Sequence, residues 1–271
     1  MVYEFRYLAP KSVGRLCAAL TEHAGAAKLL AGGTDLLPNI RNGVFKPDYV
    51  IDLKLLPGAA KLQYSQVDGL IIGPAVTIND LLRQRSVRRL YPVLCDCAHQ
   101  LASHQIRNRA TVAGNVVNAS PCSDMAPALL CLDAVAVIRS AAGQRQLPFS
   151  QFFTGVKKTA LLPGEFLEKI IVPAASSNAS GRYLKLKRIA GHDLGIVGVL
   201  CTLHQGRRRY AVSSAAPTPV LVDGFSAGDG PEDVERRVLA AVSPISDVRA
   251  SQEYRRHMIA VYARQLLQEV R

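Results

Sequence analysis

Ala31-Gly32-Gly33-Thr34-Asp35-Leu36-Leu37 is the stretch on which the reading of the fold turns. It is read together with Ala110-Thr111-Val112-Ala113-Gly114-Asn115 and its continuation Asn118-Ala119-Ser120-Pro121-Cys122-Ser123-Asp124. Both segments set glycines beside small hydroxyl residues. Glycine lets a backbone approach a ligand closely and adopt positive φ, and consecutive N–H groups then form a nest for an anion. A single Gly-Gly-Thr is an ordinary turn signal. Two such segments, far apart in the chain, are suited to grip one diphosphate from two sides, which is the chemistry of a dinucleotide.

Working outward, 26–30 reads as a short buried strand running straight into the first glycine segment, an arrangement that aims amides at a phosphate. Ahead of it, Ser12 is an N-cap, and Val13, Leu16, Cys17 and Leu20 repeat at helical spacing to about Glu22. A strand is predicted at 49–53, and Asp68-Gly69 joins the runs 62–64 and 70–73 as a hairpin. Thr77 caps a helix through 79–82, and a further helix is predicted over 90–102. Asp124 heads an apolar helix at 125–132, with Pro127 in its first turn. Runs at 135–139 and 144–147 flank Ala141-Ala142-Gly143 as a second hairpin, and 169–172 is a strand ending at Pro173. The small, polar stretch 174–181 marks a domain boundary. Strands near 183–187, 194–203 and 209–214 follow, then helices at 231–242 and 251–270. Tyr254, Met258, Val261 and Tyr262 share one face of the last helix, which reads as packing.

A chain of 271 residues, 49 % hydrophobic, has room for two domains and a proper core. No apolar run is long enough to span a membrane, and the N-terminus lacks the basic-then-apolar pattern of a secretory signal. A cytoplasmic protein is expected. The cysteines Cys17, Cys95, Cys97, Cys122, Cys131 and Cys201 form no C-x-x-C pair, so no iron–sulphur cluster or metal site is expected on this chain. Cys95-Asp96-Cys97 reads as free thiols or, less simply, as a ligand pair. A net charge of +12 admits a nucleic acid, an anionic cofactor or an acidic partner. Dispersed basic residues and the absence of Trp argue against nucleic acid. Arg207-Arg208-Arg209 reads as a solvated hairpin tip. No nucleophile–base–acid set, Walker motif or G-x-G-x-x-G fingerprint is present, so no catalytic residue is assigned.

These segments resemble the FAD-binding medium subunits of the molybdenum hydroxylases, the family of xanthine dehydrogenase, carbon monoxide dehydrogenase and 4-hydroxybenzoyl-CoA reductase. Residues 31–37 look like that family's first pyrophosphate loop, and Thr111 to Asn115 with Asn118-Ala119-Ser120-Pro121 and Ser123-Asp124 like its second. Ser246-Asp247-Val248-Arg249-Ala250-Ser251, with Glu253-Tyr254-Arg255, is similar to the C-terminal signature. Lys185 with Gly191-His192-Asp193, and Ala215-Ala216-Pro217-Thr218-Pro219, also fit. The resemblance runs along essentially the whole chain. Pro38-Asn39 after the first loop looks like the 4-hydroxybenzoyl-CoA reductase branch, although that branch's cysteine-bearing insertion is missing; Ala119-Ser120-Pro121 looks more like xanthine dehydrogenase.

What the resemblance implies is an α+β fold in two domains. Residues 1–175 would form an FAD-binding domain of the vanillyl-alcohol-oxidase (PCMH) type, with FAD extended between two subdomains. Residues 176–271 would form a small C-terminal domain of the CO-dehydrogenase flavoprotein type, a three-stranded sheet plus helices. The implied cofactor contacts are Leu29, Leu30, Ala31, Gly32, Gly33, Thr34, Asp35 and Leu36 from the first segment, and Ala110, Thr111, Gly114, Asn115 and Val117 from the second. Asp124 would accept from a ribose or ribityl hydroxyl, or else cap its helix. Leu101 and Leu167 would touch the rings, or be plain core. Lys185 and Asp193 would lie near the flavin, where a cation stabilises its reduced form, or else make a surface ion pair. His192 has no assigned role.

The implied function is electron transfer in a heterotrimer. A large subunit would carry the molybdenum cofactor and a small one the iron–sulphur clusters, and electrons would reach an external acceptor (NAD, ferredoxin, quinone or oxygen) through FAD here. The positive charge would help docking onto acidic partners. A stand-alone FAD-dependent oxidoreductase of similar fold and a basic non-enzymatic binding protein are the other readings.

Overall fold

Short strands without a polar face need cover on both sides, and the N-terminal segment supplies it with two helices. The computed structural model describes residues 3–226 and 228–271. In it β1 (Arg6–Leu8), α1 (Val13–Glu22), β2 (Ala27–Leu30), α2 (Leu36–Arg41) and β3 (Tyr49–Asp52) build a parallel sheet in the order β1-β3-β2. Ser12 caps α1 by accepting from the Arg15 N–H at 3.3 Å. On central β3, successive residues point to opposite faces: Ile51 packs with Leu16, Cys17 and Leu20 of α1, and Val50 with Leu30 of β2 and Ile40 of α2.

The next part is antiparallel. β4 (Leu62–Ser65) and β5 (Gly69–Ile72) form the expected hairpin, followed by α3 (Ile78–Arg83), α4 (Arg85–Leu90), α5 (Pro92–His99), α6 (His104–Arg107), α7 (Val112–Val117) and α8 (Met125–Cys131). β6 (Val135–Ser140), β7 (Gly143–Pro148), the small pair β8 (Phe153–Gly155) and β9 (Lys158–Thr159), and β10 (Phe166–Val172) complete it. The main sheet has the order β4-β5-β10-β6-β7. Leu70, Ile72, Ala136, Ile138, Ile170 and Val172 alternate onto the face that meets the helices. Thr77 and Asp80 form a reciprocal capping box at the start of α3. The single helix expected over 90–102 is instead α5 alone, entered at Pro92 after a break at Tyr91 that separates it from α4.

The C-terminal part contains β11 (Ser180–Leu186), β12 (Val197–His204), β13 (Arg207–Ser213), β14 (Val220–Phe225), α9 (Pro231–Ala240) and α10 (Gln252–Glu269). Its antiparallel sheet runs β11-β12-β13-β14, so it has four strands rather than three. The added edge strand β14 follows Pro217-Thr218-Pro219, which reads as loop and hides the short Val220-Leu221-Val222 run behind it. Val199, Cys201, Tyr210 and Val212 pack toward α9 and α10, while Leu200, Ala211 and Tyr183 join the core built by α5 and α8. The sheet is therefore covered on both faces, which explains the unbroken apolar run of β12.

Arginine side chains lock these layers. Arg209 is buried rather than at a solvated tip; its Nη1 donates to the Cys131 carbonyl at 2.8 Å and lies 2.7 Å from Asp133 Oδ2. Arg207 pairs with Asp223, and Arg208 donates to the Val270 carbonyl at 2.8 Å. On α10 the buried stripe is Arg255, Ile259, Ala263 and Leu266; Tyr254 is exposed, so the expected stripe lies one residue off. A stripe counted from apolar residues alone passes over Arg255, which is 1 % exposed and holds the carbonyls of Ile196 and Ser214 and the carboxylate of Asp247.

Burial pushes the Asp247 carboxyl up, but its hydrogen bonds from Arg249 and Arg255 outweigh this and hold it well below the ordinary carboxylate value. The stability it contributes is complete above the unfolded value of about 3.9 and is lost as the pH falls toward the folded one. Thermal unfolding between about pH 7 and pH 3 should show the wild type losing stability on the acid side, with Asp247→Asn less stable at neutral pH and flatter in acid. Arg255→Met, which orphans the buried carbonyls of Ile196 and Ser214 and leaves Asp247 to Arg249 alone among the arginines, should cost about 3 kcal/mol or more in the same assay.

Candidate functional site

The first glycine segment leaves the carboxyl end of β2, at the edge of a parallel sheet where ligands to α/β folds commonly sit. Gly33 has φ +78°, and its carbonyl accepts the first turn of α2 from the Leu37 N–H at 3.1 Å. The N–H groups of Gly32, Gly33, Thr34 and Asp35 donate to no protein acceptor among the described residues. Asp35 stands at the N-cap of α2, but its exposed side chain makes no cap hydrogen bond. Leu30 is buried under the segment, and Leu29, Ala31 and Leu36 are half-buried against the cores on either face of the sheet.

The second segment meets the first directly. A Cβ on Gly32 would overlap the carbonyl oxygen of Arg109 and lie 2.9 Å from its carbonyl carbon. Ala110 is pinned to α3 by accepting the Ile78 N–H at 2.9 Å. Thr111, 3 % exposed, caps α7 by accepting the Gly114 N–H at 2.9 Å, which leaves its own O–H free to donate. The Asn115 side-chain oxygen accepts from Ser123 Oγ at 2.6 Å and from the Met125 N–H at 3.3 Å, so its amide NH2 is the end left open. Val117, at the end of α7, is partly exposed. The structure thus brings Gly32 against Arg109 and Ala110, and the free amide donors lie mainly on the first segment.

Asp124 does not cap α8 with its side chain. Its carboxylate lies 2.8 Å from Lys185 Nζ and accepts from the Tyr183 hydroxyl at 3.1 Å. Lys185 also donates to the Gln100 carbonyl at 3.1 Å. Burial pushes the Asp124 carboxyl up, against the pull of the Lys185 ammonium and the Tyr183 hydroxyl. Lys185 is thus part of a buried ion pair that joins β11 to the head of α8, not of a surface pair. Asp193 makes no bond to it, and instead accepts from the backbone N–H groups of Arg188 and Leu194 at 3.1 and 2.8 Å. Leu101 and Leu167 are both buried in the main core. Sequence reading passed over Tyr183, and also Arg107, whose Nη1 donates to the carbonyls of His99, Leu101 and Ala102. Nothing in the local pattern marks either one.

A backbone cradle with four free N–H donors, too tight at Gly32 for any side chain, fits a diphosphate. A family model described as FAD binding domain in molybdopterin dehydrogenase matches residues 3–175. The carbon monoxide dehydrogenase medium chain of Hydrogenophaga pseudoflava is 30% identical over 267 residues, 94% of this chain and 92% of the relative. The xanthine dehydrogenase FAD-binding subunit of Escherichia coli O157:H7 is 31% identical over 257 residues, 90% of this chain and 88% of the relative. Among solved structures, a carbon monoxide dehydrogenase from Hydrogenophaga pseudoflava superposes with a TM-score of 0.91 at 29% identity, covering 99% of this chain and 97% of that one.

Gly32→Ala should force the two segments apart and lower stability by about 2 kcal/mol. Gly14→Ala, in α1 with open space around it, should raise stability by about 0.5–1 kcal/mol. Thermal unfolding of the two variants side by side checks both signs.

Proposed function

Because the chain belongs to the family of FAD-binding domains in molybdopterin dehydrogenases, we propose that it is the electron-transfer subunit of a multi-subunit molybdenum-containing hydroxylase or dehydrogenase. It is an oxidoreductase subunit that carries an FAD-binding domain. In this reading it stands between iron–sulphur clusters on a small partner subunit and an external electron acceptor. Substrate chemistry belongs to a large molybdenum subunit. Bound FAD supplies the redox chemistry; this chain's residues bind it, orient it and tune its surroundings.

The observation that carries the proposal is the unpartnered run of amides at Gly32, Gly33, Thr34 and Asp35, closed from the other side by Arg109 and Ala110. These amides and the Thr34 hydroxyl would hold the diphosphate, flanked by Leu29, Leu30, Ala31 and Leu36. Thr111, Gly114, Asn115 and Val117 would bound the opposite wall. Asp124 keeps lone pairs beyond those engaged by Tyr183 and Lys185, and would accept from a ribose or ribityl hydroxyl. Leu101 and Leu167 would offer apolar surface to the rings, and Lys185 and Asp193 polar groups near the flavin. The division into 1–175 and 176–271 is part of the proposal, and is supported by the family match ending at 175.

No helix of the described residues is long and apolar enough to cross a membrane. We place the complex in the cytoplasm, with the +12 charge favouring acidic partner surfaces. The purified full chain should show the paired visible absorption bands of a flavin and release FAD on denaturation, and its association with co-purifying subunits should weaken as salt rises. A colourless chain that takes up no FAD, alone or with its partners, would overturn the proposal. Turnover of a small substrate with NAD(P)H by the chain alone would favour a stand-alone flavoenzyme.

A further inference from the structure

The first glycine segment is tied from beneath by groups that no motif marks. Asp52 closes β3 at the carboxyl end of the parallel sheet, in register with Leu30, the last residue of β2. Its side chain is 4 % exposed. A buried carboxylate at this edge would oppose an anion bound to the segment above it. Lys54 Nζ, 2.6 Å from Asp52 Oδ2, offsets that charge. The Lys54 N–H donates to Oδ1 at 2.8 Å, and the Tyr7 hydroxyl, reaching across from β1, donates to Oδ2 at 2.5 Å.

The same ammonium makes a long hydrogen bond, 3.4 Å, to the carbonyl of Ala31. That carbonyl and the Gly32 N–H are two ends of one planar trans peptide, so they point in opposite directions. Drawing the carbonyl toward Lys54 therefore turns the Gly32 N–H away from Lys54. An ammonium has three donors, and two are engaged here. The Lys54 side chain is still 36 % exposed, so part of its charge stays open to solvent.

We infer that Lys54, steadied by Asp52 and Tyr7, is a positioning residue of the diphosphate loop: it orients the Ala31–Gly32 peptide and cancels the Asp52 charge beside the bound anion. The inference rests on the reading of that loop as the diphosphate cradle. It predicts an effect confined to the diphosphate-bearing half of the cofactor, because riboflavin carries no phosphate for the loop to hold.

The test titrates the full-length apoprotein with FAD, ADP and riboflavin. Lys54→Met should weaken FAD and ADP by about tenfold, a shift of roughly 1.4 kcal/mol, and leave riboflavin unchanged. Lys54→Arg, which keeps charge and donors, should restore most of the loss. If Lys54→Met does not fold, Tyr7→Phe removes only the hydroxyl that steadies Asp52 and should give a smaller loss in the same pattern. Unchanged FAD and ADP binding in the variants, or an equal loss of riboflavin, would overturn the inference. A wild-type chain that binds no FAD would instead overturn the function proposed above.

Discussion

Between residue 32 and the carbonyl of Arg109 there is room for backbone and nothing more. This close approach, together with Phe166 of β10 packed into the core of α1 and β3, holds the parallel N-terminal sheet against the antiparallel part. The amides that follow find no protein acceptor among the described residues. A side chain there would open the contact and move the amides relative to Ala110 and Thr111. The contact is therefore steric before it is chemical: the two chain segments touch where Gly32 has no side chain in the way.

The C-terminal sheet is a structural wall of the same body. Leu200, Ala211 and Tyr183 share a core with α5 and α8, so that core extends on both sides of residue 175. The ties across it are polar, and the Lys185–Asp124 pair among them is buried. Lys185 and Tyr183 converge on Asp124, Arg209 reaches back to Cys131 and Asp133, and Arg249 donates to Cys122 Sγ at 3.5 Å and to the Gly195 carbonyl at 3.3 Å. Buried ion pairs add little net stability but punish any arrangement that separates the partners. Here they give the Asp124 side chain an orientation that its own helix does not provide.

Local signals were legible where the chemistry is local. The Ser12 and Thr77 caps, the Asp68-Gly69 and Ala141-Ala142-Gly143 turns and the strand into Gly32 all appear where adjacent residues require them. Strand β14 was not legible, because three apolar residues behind a proline pair look like loop until a neighbouring strand supplies hydrogen bonds. Arg209 reads as a solvated tip, and Arg255 escapes the apolar stripe, for a related reason. Arginine scores as surface, and only a distant carbonyl or carboxylate makes its burial tolerable.

The sequence by itself determined the α+β class, the two glycine segments with their flanking strands and caps, and the family to which the chain belongs. These depend on backbone freedom and on spacing between near neighbours. Tertiary structure decided which charges meet: Lys185 with Asp124 rather than Asp193, and Lys54 with Asp52 and the Ala31 carbonyl. Of these, the Lys185–Asp124 pair and the Lys54–Ala31 contact join residues far apart in the chain. A charge carries no sequence mark of its partner, and the pairing is fixed only when packing brings two side chains into a shared, poorly solvated space.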